Sequence, residues 1–340
     1  MRIFSIALVT SLLAGSGFAY AANQSEVNIY SSRKEPFIRP LLNTFEKETG
    51  IKVNLVSGED DVLIERLKTE NQNSPADLLI TADAGRLNRA MKLNLLQPVQ
   101  DKELETQVPK ALRDHNGFWF AMTQRARIIA YAPDRVDTKN LSGYESLSDP
   151  MFKGRLCARS SSNVYNQSLT AAMIAHLGEG ATENWLKGMV ANFARAPQGG
   201  DRDQVKDIAA GKCDLALVNT YYLATMMQSN DLNEQKAAQA VKVFWPNQKD
   251  RGAHMNISGA GVTRHAKNKT EAIQLLRFLV KNDSQKWYAE TNHEYPIRAD
   301  IPRSALLSQW GDFKAETLPM SQLGELNQAA VILMDKAHWK

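Results

Sequence analysis

The sequence predicts an α/β protein built as two lobes with a ligand cleft between them. Three observations lead there. Short apolar strands alternate with amphipathic helices, the alternation starts afresh near Gln124, and 340 residues, 43% hydrophobic and 23% charged, suffice for two cores.

The first run begins with Val27-Asn28-Ile29-Tyr30, which alternates as a strand. Pro36 suits a first helical turn, and Phe37, Leu41, Leu42 and Phe45 recur at helical spacing up to the stop at Gly50. Ile51, Val53 and Leu55 alternate again, and a helix follows with Val62, Leu63 and Leu67 inward. Asp77-Leu78-Leu79-Ile80 is a third strand and Ala82 to Leu95 a third helix. This β-α-β-α-β-α order favours a mostly parallel sheet covered by helices.

The second run opens with a strand over Arg127 to Tyr131. Helices are predicted over Leu169 to Leu177, Glu183 to Phe193 and Gln204 to Ala210, the last stopped by Gly211. Leu215-Ala216-Leu217-Val218 reads as a buried strand, with Thr220 as N-cap of a helix from Tyr221. Val241 to Phe244 is a late strand, and Gly259-Ala260-Gly261-Val262 precedes an amphipathic helix over Lys269 to Lys281. Open α/β sheets bind ligands beyond the carboxyl ends of their strands. The loops that matter are therefore Ser31 to Glu35, Ser57 to Asp61, Ser160 to Asn166 and Asn219 to Tyr222.

Composition excludes several classes. The formal charge is +4 with both signs mixed and no basic run, so a nucleic-acid partner is not implied. Residues 1–21 read as an export signal, with Arg2, an apolar stretch from Ile3 to Ala14 and an Ala19-Tyr20-Ala21 cleavage site. That places the mature protein in the periplasm. In an oxidising compartment the two cysteines, Cys157 and Cys213, form a disulfide more naturally than a metal site, the alternative being two buried thiols. No nucleophile elbow, phosphate-binding loop or zinc-protease helix occurs, and none of the six histidines has a partner at i+3 or i+4, so no enzyme is expected.

Tyrosines in loops after strands carry the chemistry. Tyr221-Tyr222 follows the strand ending at Val218, and Tyr165 sits in the polar run Ser160 to Asn166. Phenolate is a hard anionic oxygen suited to a hard trivalent cation. Each phenol must lose its proton to bind, which costs about 4 kcal/mol at pH 7 from a reference pKa near 10. The bland reading of adjacent tyrosines puts one ring in the core and one at the surface.

The sequence resembles the ferric-iron-binding periplasmic proteins of ABC importers, in the branch that uses several tyrosines. The resemblance is carried by Val27 to Arg33, Ala76 to Leu87, Ser161-Ser162-Asn163-Val164-Tyr165-Asn166-Gln167-Ser168-Leu169, Leu217-Val218-Asn219-Thr220-Tyr221-Tyr222-Leu223-Ala224 and Asn256 to Val262, and it covers nearly the whole mature chain. It implies the two-lobed type II periplasmic-binding-protein fold with two crossing strands as hinge. The first lobe would be 22–122 with 252–305, and the second 123–251 with 306–340. It implies Fe(3+) bound by Tyr165, Tyr221 and Tyr222 and delivered by a monomer to an inner-membrane permease.

The resemblance breaks at one place. Members of this branch commonly carry Ser-Arg-His-Tyr after the first strand, whereas the matching run here is Ser32-Arg33-Lys34-Glu35. Glu35 can serve as the first-lobe ligand. A synergistic anion such as carbonate, held by Arg125 and Arg33, can take its place, or Glu59, Asp60 or Asp61 can reach in. Because the His-Tyr pair is lost, a binding protein for another small ligand (an anion, a polyamine or thiamine) is the competing reading.

Overall fold

The computed structural model describes residues 25–340; the predicted export signal lies outside them. Eight strands join one hydrogen-bonded sheet: β1 Glu26–Ser31, β2 Lys52–Ser57, β3 Leu78–Thr81, β4 Phe120–Tyr131, β5 Leu156–Cys157, β6 Leu215–Asn219, β7 Lys242–Phe244 and β8 Met255–Val262. Their order is β2-β1-β3-β8-β4-β6-β5, with β7 also paired to β4. Helices flank both halves, giving a mixed α/β two-lobed architecture.

Within each lobe the strand period of two sorts side chains to opposite faces. In the first lobe Val27 and Ile29 of β1 and Leu78 and Ile80 of β3 join the core against helices Arg39–Thr49 and Lys269–Val280, where Phe45 and Phe278 meet edge to face at 5.4 Å. Tyr30 and Leu79 take the other face with Leu63, Ile64 and Leu67 of helix Asp60–Glu70. In the second lobe Ile129, Leu215 and Leu217 face one core, while Ile128, Ala130, Ala216 and Val218 face the other.

The sheet is less parallel than the strand-helix alternation predicts. The β1–β2, β1–β3 and β5–β6 pairs are parallel, whereas β8 runs antiparallel to both β3 and β4, and β4 runs antiparallel to β6 and β7. The cause is the crossing of the chain between lobes. The strand predicted at Arg127 extends back to Phe120, and its two halves belong to different lobes: Phe120 to Ala126 pairs with β8, and Arg127 to Tyr131 pairs with β6. The return crossing runs beside it, and the Arg127 N–H donates to the His254 carbonyl at 2.9 Å. The Gly259-Ala260-Gly261-Val262 run is itself the end of β8. Its glycines are required, because a Cβ on Gly261 would stand 2.5 Å from the Phe118 carbonyl oxygen.

Other local expectations shift for physical reasons. Val62 is 64% exposed, and Ile64 takes the inward position, so the apolar stripe of that helix lies one residue later. Thr220 does not cap its helix. Asn219 occupies the cap position, and the Thr220 hydroxyl instead accepts from the Ala126 N–H of the crossing strand. The C-terminal segment divides: Leu307, Met320 and Leu323 pack into the first core, Leu333, Met334 and Trp339 into the second.

Cys157 and Cys213 are bonded, joining β5 to the turn before β6 across 56 positions. On the chain-entropy account, closing such a loop restricts the unfolded state by about 4 kcal/mol. Replacing both cysteines by serine should lower the unfolding free energy by an amount of that order, measured by urea denaturation.

Candidate functional site

The site is a cleft of about 410 Å³ between the lobes. Its first-lobe wall includes Ser32, Arg33, Lys34, Phe37 and Asp60; its second-lobe wall includes Arg159, Tyr165, Asp201, Tyr221 and Tyr222.

Each tyrosine is placed by a strand-to-helix turn. Helix Val164–Leu177 starts five residues earlier than its apolar pattern suggests, because the Asn163 side chain caps it by accepting from the Tyr165 N–H at 3.2 Å. Tyr165 therefore stands on the first helical turn, not in a loop. Tyr221 and Tyr222 open helix Thr220–Met227 directly after β6. The structure brings the three together. The Tyr165 and Tyr221 hydroxyl oxygens are 3.2 Å apart, and the Tyr221 and Tyr222 ring centroids 4.2 Å apart. Both adjacent rings face the cleft at 7% exposure, so the ordinary division of such a pair between core and surface does not apply.

A buried carboxylate holds this arrangement in register. Asp201, the first residue of helix Asp201–Ala209, accepts from Arg127 at 2.8 Å, from Arg159 at 2.7 Å and from the Asn219 N–H at 2.6 Å. Burial alone would raise its pKa, but the two guanidiniums and the amide hold it below the usual carboxylate range. Arg127 also donates to Asn166 at 2.9 Å, next to Tyr165. Arg125, Arg127 and Arg159 each lie over the Tyr165 ring, with the guanidinium carbons 5.3, 5.8 and 5.4 Å from its centroid. Arg127, Arg159 and Asp201 carried no sequence motif; only their convergence marks them.

Burial, then the Tyr165 and Tyr222 hydroxyls, push the Tyr221 pKa well above the usual phenol value, with Arg125 pulling the other way. Burial and then Tyr165 raise Tyr222 as well. Both are neutral phenols at pH 7 until a strong cation displaces their protons.

The first-lobe candidates separate. Glu35 does not line the cleft; its carboxylate accepts from Ser57 at 3.2 Å and stands 3.5 Å from Arg39, with half of its side chain exposed. Arg33 does line it, buried and paired with Glu294 at 2.6 Å. Its Nε has no partner. Arg125 points its Nη2 at the Ala82 carbonyl and lines a separate small cavity at the hinge. Phe37, expected in the core, instead meets Tyr221 edge-on across the cleft at 5.7 Å. Arg202 also lines the cleft and donates to Glu234 at 3.1 Å.

Asp60 is a buried first-lobe acid that lines the cleft, as Glu294 does, but among the described residues it has no arginine partner like that of Glu294. Ser32 donates to it, and Ser32 in turn accepts from the Ala82 N–H at 3.1 Å. Among the described residues no group of three or more His, Cys, Asp or Glu side chains is placed to hold a metal ion.

Residues 41–315 match the model of the bacterial extracellular solute-binding proteins. The chain belongs to that family. It is 43% identical to iron uptake protein A1 of Synechocystis, over 99% of this chain and 96% of the relative. Among solved structures, a Trichodesmium protein in complex with iron and citrate superposes with a TM-score of 0.87 at 45% identity, covering 93% of this chain and 100% of that one. A ferric-binding protein from Campylobacter jejuni superposes with a TM-score of 0.90 at 38% identity, covering 92% and 100%. This member keeps the family's fold, a type II periplasmic-binding-protein architecture.

Asp60 makes a pH-dependent contribution. Burial first, offset by Ser32 and reinforced by Asp83, raises its pKa to about 7. The folded protein then keeps this proton up to about pH 7, while the unfolded chain releases it near pH 4. Stability from this group is present below about pH 4, declines as pH rises to about 7 and levels off above. Asp60→Asn should stabilise the iron-free protein at pH 8 by on the order of 2–4 kcal/mol. The gain should fade by pH 4, as read from urea melts across that range.

Proposed function

We infer that this protein captures ferric iron in the periplasm and delivers it as a monomer to an ABC permease in the inner membrane. The single observation that carries the reading is the cluster of three phenols on one wall of the cleft, with two hydroxyl oxygens 3.2 Å apart. Three phenolates would neutralise a trivalent cation and present only hard oxygen donors to it. The relatives support the cargo: one is named an iron uptake protein, and one solved structure holds iron.

Tyr165, Tyr221 and Tyr222 are the iron ligands in this reading. All three come from the second lobe, so iron binds that lobe first. The first lobe then closes by turning about the crossing strands. A cleft of about 410 Å³ has room for more than an ion, which suits an anion taken with the iron, such as carbonate. Arg33 and Arg159 are placed to meet its charge. Asp60 offers a carboxylate from the first lobe. Glu35 serves only if its side chain leaves Ser57 and Arg39. Cargo favours the closed form only through contacts made there and not in the open form. The protein binds and releases; no covalent step is assigned to it.

Ferric iron added to the purified protein should give a visible phenolate-to-iron colour and raise the melting temperature. The double change Tyr221→Phe and Tyr222→Phe should abolish both while leaving the far-UV circular dichroism unchanged. A colourless wild-type protein whose melting ignores iron overturns the reading. Because each phenol must give up its proton to bind the metal, three protons should leave the protein per ferric ion, so affinity falls as pH drops. A pH-stat titration counts them, and fewer than two contradicts the tyrosine set.

A further inference from the structure

Behind Tyr165, at the hinge, lies a second cavity lined by Arg125, Arg127, Tyr165, Asn219, His254 and Asn256. Tyr165 is the one lining residue it shares with the cleft. It has the size of about one water molecule, so its occupant is a single water or a single monatomic anion seated tightly against the lining donors.

Four of its six lining residues carry a buried side-chain nitrogen with no hydrogen-bond partner: Arg125 Nη1, Arg127 Nε, Asn219 Nδ2 and His254 Nε2. Each of these residues is at most 4% exposed. Unpaired buried donors are costly, and four around one small space point to an occupant. Three of the four are N–H donors in any protonation state, so the occupant must above all accept. His254 Nδ1 faces the Glu316 carboxylate, and Nε2 is its unpartnered ring nitrogen.

The charge balance selects further. Arg127 and Arg159 share one carboxylate, Asp201, and the side-chain acceptor contact of Arg125 is a neutral carbonyl, Ala82 O. One guanidinium of the Arg127–Arg159 pair and that of Arg125 are therefore not matched by a carboxylate in contact. A water accepts two hydrogen bonds and must also place two protons among these donors. A monovalent anion accepts from all of them and offsets the charge.

We propose that the hinge cavity binds a single halide-sized anion, chloride in the periplasm, between Arg125 and Arg127. The site is distinct from any anion carried with iron, which would lie in the cleft. It joins the lobes: Arg125 reaches Ala82 of the first lobe, while Arg127 is anchored on Asp201 of the second.

The test uses iron-free protein, so its outcome does not depend on the iron reading. Crystals grown in bromide should show one anomalous peak in the cavity, against Arg125 Nη1 and Arg127 Nε. Replacing gluconate by chloride at fixed ionic strength should raise the melting temperature by about 2 °C or more at saturation. In Asn219→Asp, which sets a fixed carboxylate among the same donors, peak and chloride response should both vanish. An ordered water without anomalous signal in wild-type crystals, a melting temperature indifferent to chloride, or bromide retained in Asn219→Asp overturns the proposal.

Discussion

The structure of the site depends on one buried carboxylate. Asp201 is fully excluded from solvent, yet it is held ionised by two guanidiniums and a backbone amide. Its three partners come from three segments distant in sequence: Arg127 from the crossing strand, Arg159 from the turn after β5, and Asn219 from the end of β6. The last two of these segments lead into the helices that carry Tyr165, Tyr221 and Tyr222. Removing one partner from a buried network of this kind leaves uncompensated charge and costs about 3–5 kcal/mol. The three tyrosines are therefore presented together by a rigid wall.

Rigidity on one side is matched by a joint on the other. The twelve residues of β4 change partner between Ala126 and Arg127, from β8 to β6. Arg125 and Arg127, two residues apart on a strand, point to the same side. One bonds toward the first lobe, and the other is anchored in the second. Both guanidiniums also lie over the Tyr165 ring. Lobe position and the electrostatic setting of one phenol thus share the same two side chains.

The first lobe contributes differently. Of its acids in the cleft, Asp60 has its proton held by burial to about pH 7, while Arg33 is committed to Glu294. A wall of neutral acid, bound arginine and the edge of Phe37 makes few demands on the cargo until closure. This fits a binder that loads on one lobe and encloses with the other.

The sequence alone shows the strand-helix alternation, the tyrosines after strands and the two cysteines, because each rests on local pattern or on residue chemistry, while the hinged fold and the grouping of three tyrosines came only as what the family resemblance implies. Strand period two, helix stops at glycine and two cysteines in an exported chain need no partner to be read. What only the tertiary structure decided is which side chains meet. Val62 and Ile64 exchange roles because the register of a helix against its sheet is set by packing. Thr220 leaves its cap because the crossing strand offers a competing donor. Glu35 turns to Ser57 and Arg39, whereas Asp60 faces the cleft, because aim depends on the turn that carries a residue rather than on its charge. Arg127, Arg159 and Asp201 are silent one at a time; their meaning is a convergence in space, which no spacing along the chain encodes.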